Sequence, residues 1–124
     1  MYLVVGIGGI IGALLRFSIS EWFLTLGYIS VAGTLCVNLI GCFFLGLVQG
    51  CARVFELPPW LVTGVGTGLI GAFTTFSTFS IEVVRFLEQG NFMLALYYIV
   101  ISSVGGYFLA NMGFSLVTYK KNEV

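Results

Sequence analysis

The chain has 124 residues, of which 59% are hydrophobic and only 8% charged, with a mean hydropathy of +1.09. A compact soluble domain cannot hide that much apolar surface from water, so a lipid bilayer is the natural solvent. Five basic and five acidic side chains give a formal net charge of zero and a pI near 6.1, which excludes the basic patch of a nucleic-acid binder.

The charged residues leave charge-free windows at 1–15, 22–52, 57–81 and 89–119, and a helix needs about 20 apolar residues to cross a bilayer. A single transmembrane domain over 1–124 is expected, all α, with four spans at about 2–26, 31–52, 58–88 and 92–118. The first reaches full length only if Arg16 lies within or near the membrane and Glu21 near its far edge. Without a basic stretch ahead of the glycine-rich run 6–12, this segment reads as a retained span and not as a cleaved signal. The run Gly6-Ile-Gly8-Gly9-Ile-Ile-Gly12 lacks both the spacing and the preceding strand of a dinucleotide fingerprint.

Loops of a few residues make neighbouring helices antiparallel. Trp22 and Tyr28 flank the first connection, Trp60 follows Pro58-Pro59 at the start of the third span, and Tyr119 closes the fourth beside Lys120 and Lys121, as interfacial anchors do. Seventeen glycines include the pairs Gly8 and Gly12, Gly46 and Gly50, and Gly64 and Gly68. That small-xxx-small spacing lets helix backbones approach closely where lipid supplies no hydrophobic drive.

In the second span Thr34, Asn38 and Cys42 share one face with Gly41 adjacent, and in the fourth Tyr98, Ser102 and Gly106 do the same. Cys36, Cys42 and Cys51 have neither CxxC spacing nor a histidine to complete a metal or redox site, and read as packing residues. The third span carries Gly71-Ala-Phe-Thr74-Thr75-Phe76-Ser77-Thr78-Phe79-Ser80, whose β-branched threonines and competing hydroxyls make a poor helix. A break near 72–76 is expected. Irregular backbone at membrane depth survives only where it is buried in protein or lines a wet cavity. The break is therefore either an ion site or a kink that neighbouring helices tolerate.

Amide and hydroxyl groups offer hydrogen bonds without charge, and aromatic ring edges are electropositive, a combination suited to a small anion. Phe73, Phe76 and Phe79 recur every third residue, as a stripe along such a path or as ordinary packing. Glu82 and Arg85 at i and i+3 read as an interfacial pair. Arg16 serves either an anion-attracting vestibule or a structural role.

The segments Gly12-Ala-Leu-Leu-Arg16-Phe, Gly33-Thr34-Leu-Cys-Val-Asn38-Leu-Ile-Gly41 and Thr74-Thr-Phe-Ser-Thr-Phe79 together resemble the Fluc fluoride channels, also called the CrcB family. The resemblance covers nearly the whole chain. It implies an antiparallel, dual-topology homodimer in the bacterial inner membrane that passively releases cytoplasmic fluoride. The sequence offers no nucleophile, metal triad or acid-base pair, so no enzymatic activity is expected. By position it implies a fluoride pathway of Asn38, Phe76, Phe79, Ser77, Thr78, Tyr98 and Ser102, with Thr34 on the same face as Asn38, and a vestibule at Arg16. It also implies a structural sodium ion at the dimer centre, held by backbone carbonyls of Gly71 and Thr74. Gly106 stands where some members have a serine, and Phe17 replaces a frequent tyrosine. The competing reading is a proton-coupled small multidrug exporter, which needs a titratable carboxyl deep in its first span; that depth holds Leu14 and Leu15.

Overall fold

The computed structural model describes residues 1–27 and 29–122. The helices are α1 (Tyr2–Thr25), α2 (Ser30–Phe55), α3 (Pro59–Thr63), a π-helical segment Gly64–Ile70, α4 (Gly71–Phe73), α5 (Phe76–Glu88) and α6 (Phe92–Asn122). Among the described residues four stretches are long and apolar enough to span a membrane: Tyr2–Thr25, Ser30–Phe55, Pro59–Glu88 and Phe92–Tyr119. The protein is thus a multi-pass membrane protein whose third span is assembled from α3, the π-helical segment, α4 and α5. Tyr28 and the side chains of Lys120 and Lys121, read above as interfacial groups, lie outside the described residues.

The turns follow from local chemistry. Gly27 and Gly90 take positive φ of 80° and 74°, a region open to glycine. At the end of α5, Asn91 N–H donates to Phe86 O and Gly90 N–H to Leu87 O, which is the Schellman pattern. Pro59 occupies the first turn of α3, where its missing N–H has no helical partner to lose. Helix α2 continues to Phe55, three residues past the expected 52, and ends on left-handed Glu56 with Arg53 in its last turn. A basic group there complements the helix dipole, so charge need not stop the helix at the apolar boundary.

Two backbone-to-backbone seams hold the helices together, and the glycine pairs build both. A Cβ on Gly8 would lie 2.7 Å from Gly64 O, one on Gly12 would strike the Leu69 carbonyl, and one on Gly68 would lie 2.7 Å from Val5 O. These contacts press α1 against the π-helical segment. In the second seam a Cβ on Gly46 would strike the Ala110 carbonyl, one on Gly113 the Phe43 carbonyl, and one on Gly50 would meet Phe114 O at 3.0 Å, joining α2 to α6. Dispersion at such short separation supplies association energy that lipid exclusion does not.

The π-helical segment has no counterpart in the sequence reading. Its run Gly-Val-Gly-Thr-Gly-Leu-Ile has low helix propensity, and the close face offered by α1 accommodates the wider backbone. The chain then leaves the helix at Thr74 (ψ 158°) and Thr75 (φ −142°, ψ 121°), inside the expected break.

Gly46→Val is expected to lower the thermal stability of the detergent-solubilised protein by about 1–3 kcal/mol through overpacking against Ala110. Gly6→Val, with nothing within 4 Å of its Cβ position, serves as control and should leave the melting curve nearly in place. Equal losses would remove the seam as the cause.

Candidate functional site

Helix α2 delivers Asn38 to the break. Thr75 N–H donates to Asn38 Oδ1 at 2.8 Å, and Asn38 Nδ2 donates to Thr75 O at 3.0 Å. One side-chain amide thereby satisfies both backbone polar groups of a residue that has left the helix. An amide has four hydrogen-bonding sites, so one N–H and one lone pair remain for other partners. Gly41, one turn on, permits the approach: a Cβ there would collide with the Thr74 methyl and lie 3.5 Å from the Phe73 ring. Thr75 also caps α5, its Oγ1 accepting from Thr78 N–H at 3.2 Å and donating to Thr78 Oγ1 at 3.0 Å.

Beside this clasp lies a cavity of about 360 Å³, open on one side, whose walls include Asn38, Cys42, Thr74, Thr75, Phe76, Phe79, Ser102 and Ser103. The Ser102 Oγ is buried and has no hydrogen-bond partner among the described residues. A buried hydroxyl without a partner costs free energy that a bound acceptor or water recovers. Phe76 is 80% exposed at the open side, and its ring centroid lies 6.0 Å from that of Phe79.

Of the two readings of Phe73, Phe76 and Phe79, a stripe along one path or packing, a single stripe of all three does not form, and Phe73 packs. Phe73 precedes the break on α4 and is 7% exposed in the core, whereas Phe76 and Phe79 follow it on α5. Two extended residues between them destroy the helical register that equal spacing implied. Ser77 and Thr78 gather on Thr75, with Ser77 Oγ 3.3 Å from Thr75 Oγ1.

The pairing of Glu82 with Arg85 is also corrected. Glu82 is 4% exposed and turns away from its own helix surface. Its Oε1 accepts from Ser30 Oγ at 2.8 Å and Thr34 Oγ1 at 3.0 Å, and its Oε2 from Tyr98 OH at 2.7 Å. Thr34 and Tyr98 therefore meet at a carboxyl that sequence reasoning assigned to the surface. The i, i+3 rule compares neighbours on one helix and cannot see acceptors for groups 48 or 52 residues away. The available signal was the carboxyl itself, since an ionisable residue inside a span needs a partner within the bundle. Tyr98 also stands 5.0 Å from Phe79 and edge-on to Phe86 at 6.1 Å, which links the cluster to the cavity wall.

Arg16 is half-buried on α1, with its Nε enclosed and without a partner among the described residues. At the break the Gly71 carbonyl receives a long 3.5 Å contact from Thr74 Oγ1, and Thr75 N–H, its helical partner, is taken by Asn38. No group of three or more His, Cys, Asp or Glu side chains that could hold a metal occurs among the described residues.

The family model described as CrcB-like protein, Camphor Resistance (CrcB), matches residues 3–114. The chain belongs to the CrcB family. It is 43% identical over 118 residues to a Bacillus cereus protein named fluoride-specific ion channel FluC 1, covering 94% of this chain and 82% of the relative. It is 41% identical over 113 residues to fluoride-specific ion channel FluC 2 of Listeria innocua, covering 90% and 86%. With FluC 2 of Staphylococcus saprophyticus the identity is 40% over 116 residues, covering 93% and 94%. The clasp and the cavity thus lie within the part of the chain that the CrcB family shares.

Glu82→Ala is expected to cost at least about 2 kcal/mol of stability in detergent, because it removes the acceptor that the buried Thr34 and Tyr98 hydroxyls share with the more exposed Ser30. Glu82→Gln keeps an acceptor for two of them and offers an N–H to the Tyr98 oxygen, so its loss should be less than half as large. Melting curves that rank the two variants the other way would refute the cluster's structural role.

Proposed function

We propose that this CrcB chain is a fluoride-selective channel that passively exports cytoplasmic fluoride across a bacterial cytoplasmic membrane. The names of its relatives support the activity. The observation that carries the reading at atomic level is the bidentate grip of Asn38 on Thr75 beside a cavity that also holds the unpartnered Ser102 hydroxyl. Neutral donors held in place replace part of an anion's hydration shell without trapping it by full charge, as conduction requires. The ring edges of Phe76 and Phe79 add positive electrostatic potential at the cavity wall. Fluoride enters acid-exposed cells as neutral HF and is trapped as the anion, so a passive selective leak suffices. The fluoride pathway therefore runs past Asn38, Phe76, Phe79 and Ser102, with Ser77, Thr78, Thr34 and Tyr98 along its polar continuation and Arg16 at a wet vestibule.

The chain works as an antiparallel homodimer. The open side of the cavity and the exposed Phe76 ring offer a second copy a surface to close. A sodium ion fits the donor chemistry at the centre: carbonyls freed by the break are neutral hard oxygens, and hard cations take oxygen ligands. Gly71 and Thr74 of each copy would hold it, and its charge would pin the two breaks together. The multidrug-exporter reading finds no support, since the relatives carry channel names and the first span has no deep carboxyl.

Asn38→Asp in liposomes is expected to abolish fluoride efflux, because it sets a fixed negative charge beside the cavity and also removes the donor to Thr75 O. A fixed negative charge about 4 Å from the permeant ion costs about 4 kcal/mol at an effective dielectric of 20. That is about a thousandfold in rate. Normal efflux from a properly folded variant would remove Asn38 from the pathway.

Insertion in both orientations is also expected. Arg53, Lys120 and Lys121 fall on one side and Arg85, with Arg16 near it, on the other, so the basic bias that orients short-loop proteins is weak. C-terminal reporters active on one side of the membrane should both give signal, and added loop lysines should shift the ratio. A chain found wholly in one orientation would sink the dual-topology assembly.

A further inference from the structure

Helices α2 and α6 advance in step: a Cβ on Gly106 would meet Cys42 Sγ, one on Gly46 the Ala110 carbonyl, and one on Gly50 Phe114 O. The two helices therefore run parallel and end on one side of the membrane, the side of Arg53. The residues assigned above to the fluoride pathway lie at the central cavity or toward the opposite side, where Thr34 and Tyr98 meet Glu82. From Asn38 to Arg53 the axis of α2 rises about 22 Å, and no assigned polar group covers that distance.

This half of the groove between α2 and α6 is nevertheless polar. Ser103 lines the central cavity, and Tyr107 and Asn111 follow it at steps of four residues, which puts the three on one face of α6. Tyr107, Asn111 and, from α2, Gln49 line a second cavity of about 300 Å³. Leu45 belongs to the walls of both cavities, so the second continues the first along the groove. All four polar side chains are exposed, and none has a hydrogen-bond partner among the described residues. Gln49 and Asn111 lie about 10 Å and about 8 Å from the middle of the spans Ser30–Phe55 and Phe92–Tyr119, inside a hydrocarbon half-thickness of about 15 Å. Two unpartnered carboxamides and a phenol are costly at that depth unless they face water or a polar ligand.

We propose that Ser103, Tyr107, Asn111 and Gln49 form a second polar track, which carries fluoride with part of its water between the central cavity and the membrane face at Arg53. The proposal rests on the reading of the central cavity as the fluoride pathway. The ligand class is a small hard anion. Each carboxamide offers two N–H donors and each hydroxyl one, and none is charged. Weak neutral sites in series replace hydration water while leaving the ion free to move on.

The test is fluoride efflux from liposomes carrying the full chain, with the assembly state of each variant read by size exclusion. A Gln49→Leu/Asn111→Leu chain keeps similar bulk and removes the amide donors; it should conduct about tenfold or more slowly than the parent, with an unchanged elution profile. Asn111→Asp should conduct at least about fivefold more slowly than Asn111→Lys at low salt, and added inert salt should narrow the gap, because a fixed charge acts on a passing anion by its sign and is screened. Parental efflux from the Gln49→Leu/Asn111→Leu chain, or equal efflux from Asn111→Asp and Asn111→Lys, overturns the track and leaves these side chains facing lipid. Loss of efflux together with dissociation of the Gln49→Leu/Asn111→Leu assembly also overturns it, since the amides then hold a second copy. A parent chain without fluoride efflux defeats the channel reading and the track with it, whereas a conducting parent with unaffected variants defeats the track alone.

Discussion

The rest of the site depends on one requirement: the peptide groups of Thr75, taken out of the helix at membrane depth, must still find partners. Hydrocarbon offers none, and an unpaired peptide group there costs several kcal/mol. Asn38 supplies both partners from α2. Because its amide meets N–H and C=O together, the chain can be extended at Thr74 and Thr75 without exposing backbone to lipid. That extension separates Phe73 in the core from Phe76 and Phe79 on the other side, and frees carbonyls at the end of α4.

Close packing makes the grip possible. An amide spans only a short distance, so α2 must lie nearly against the break, and Gly41 is the residue that removes the obstacle. The glycine seams act on a larger scale to the same end. One ties α1 to the π-helical segment just ahead of the break, and the other ties α2 to α6, which brings Asn38, Cys42 and Ser102 around one cavity. Side chains at these seams would force the helices apart and with them the polar groups they carry.

A second polar knot stands where α2, α5 and α6 meet. Glu82 collects hydroxyls from Ser30, Thr34 and Tyr98, so three helices share one buried carboxyl. Such a cluster is stable only when its members are satisfied together. Through Tyr98, which packs on Phe79, it also orients a ring at the cavity wall. The cluster thus sets a buried carboxyl, occupied by hydroxyls, behind an aromatic wall of the cavity.

The sequence alone determined whatever depends on local composition and period. Charge-free windows set four spans, the Gly71–Ser80 run set the break, and the spacing of Gly8, Gly12, Gly46, Gly50, Gly64 and Gly68 marked the packing faces. Motif resemblance named the family that the matched model identifies. Tertiary structure decided everything that depends on two distant segments meeting. It gave Asn38 to the Thr75 backbone, Glu82 to Ser30, Thr34 and Tyr98 instead of Arg85, and Gly106 to the thiol of Cys42. It also turned a glycine-rich stretch into a π-helix and removed Phe73 from the aromatic stripe. The reason is that helical period is a property of each segment, whereas a hydrogen bond between helices depends on their separation and rotation, which only packing sets.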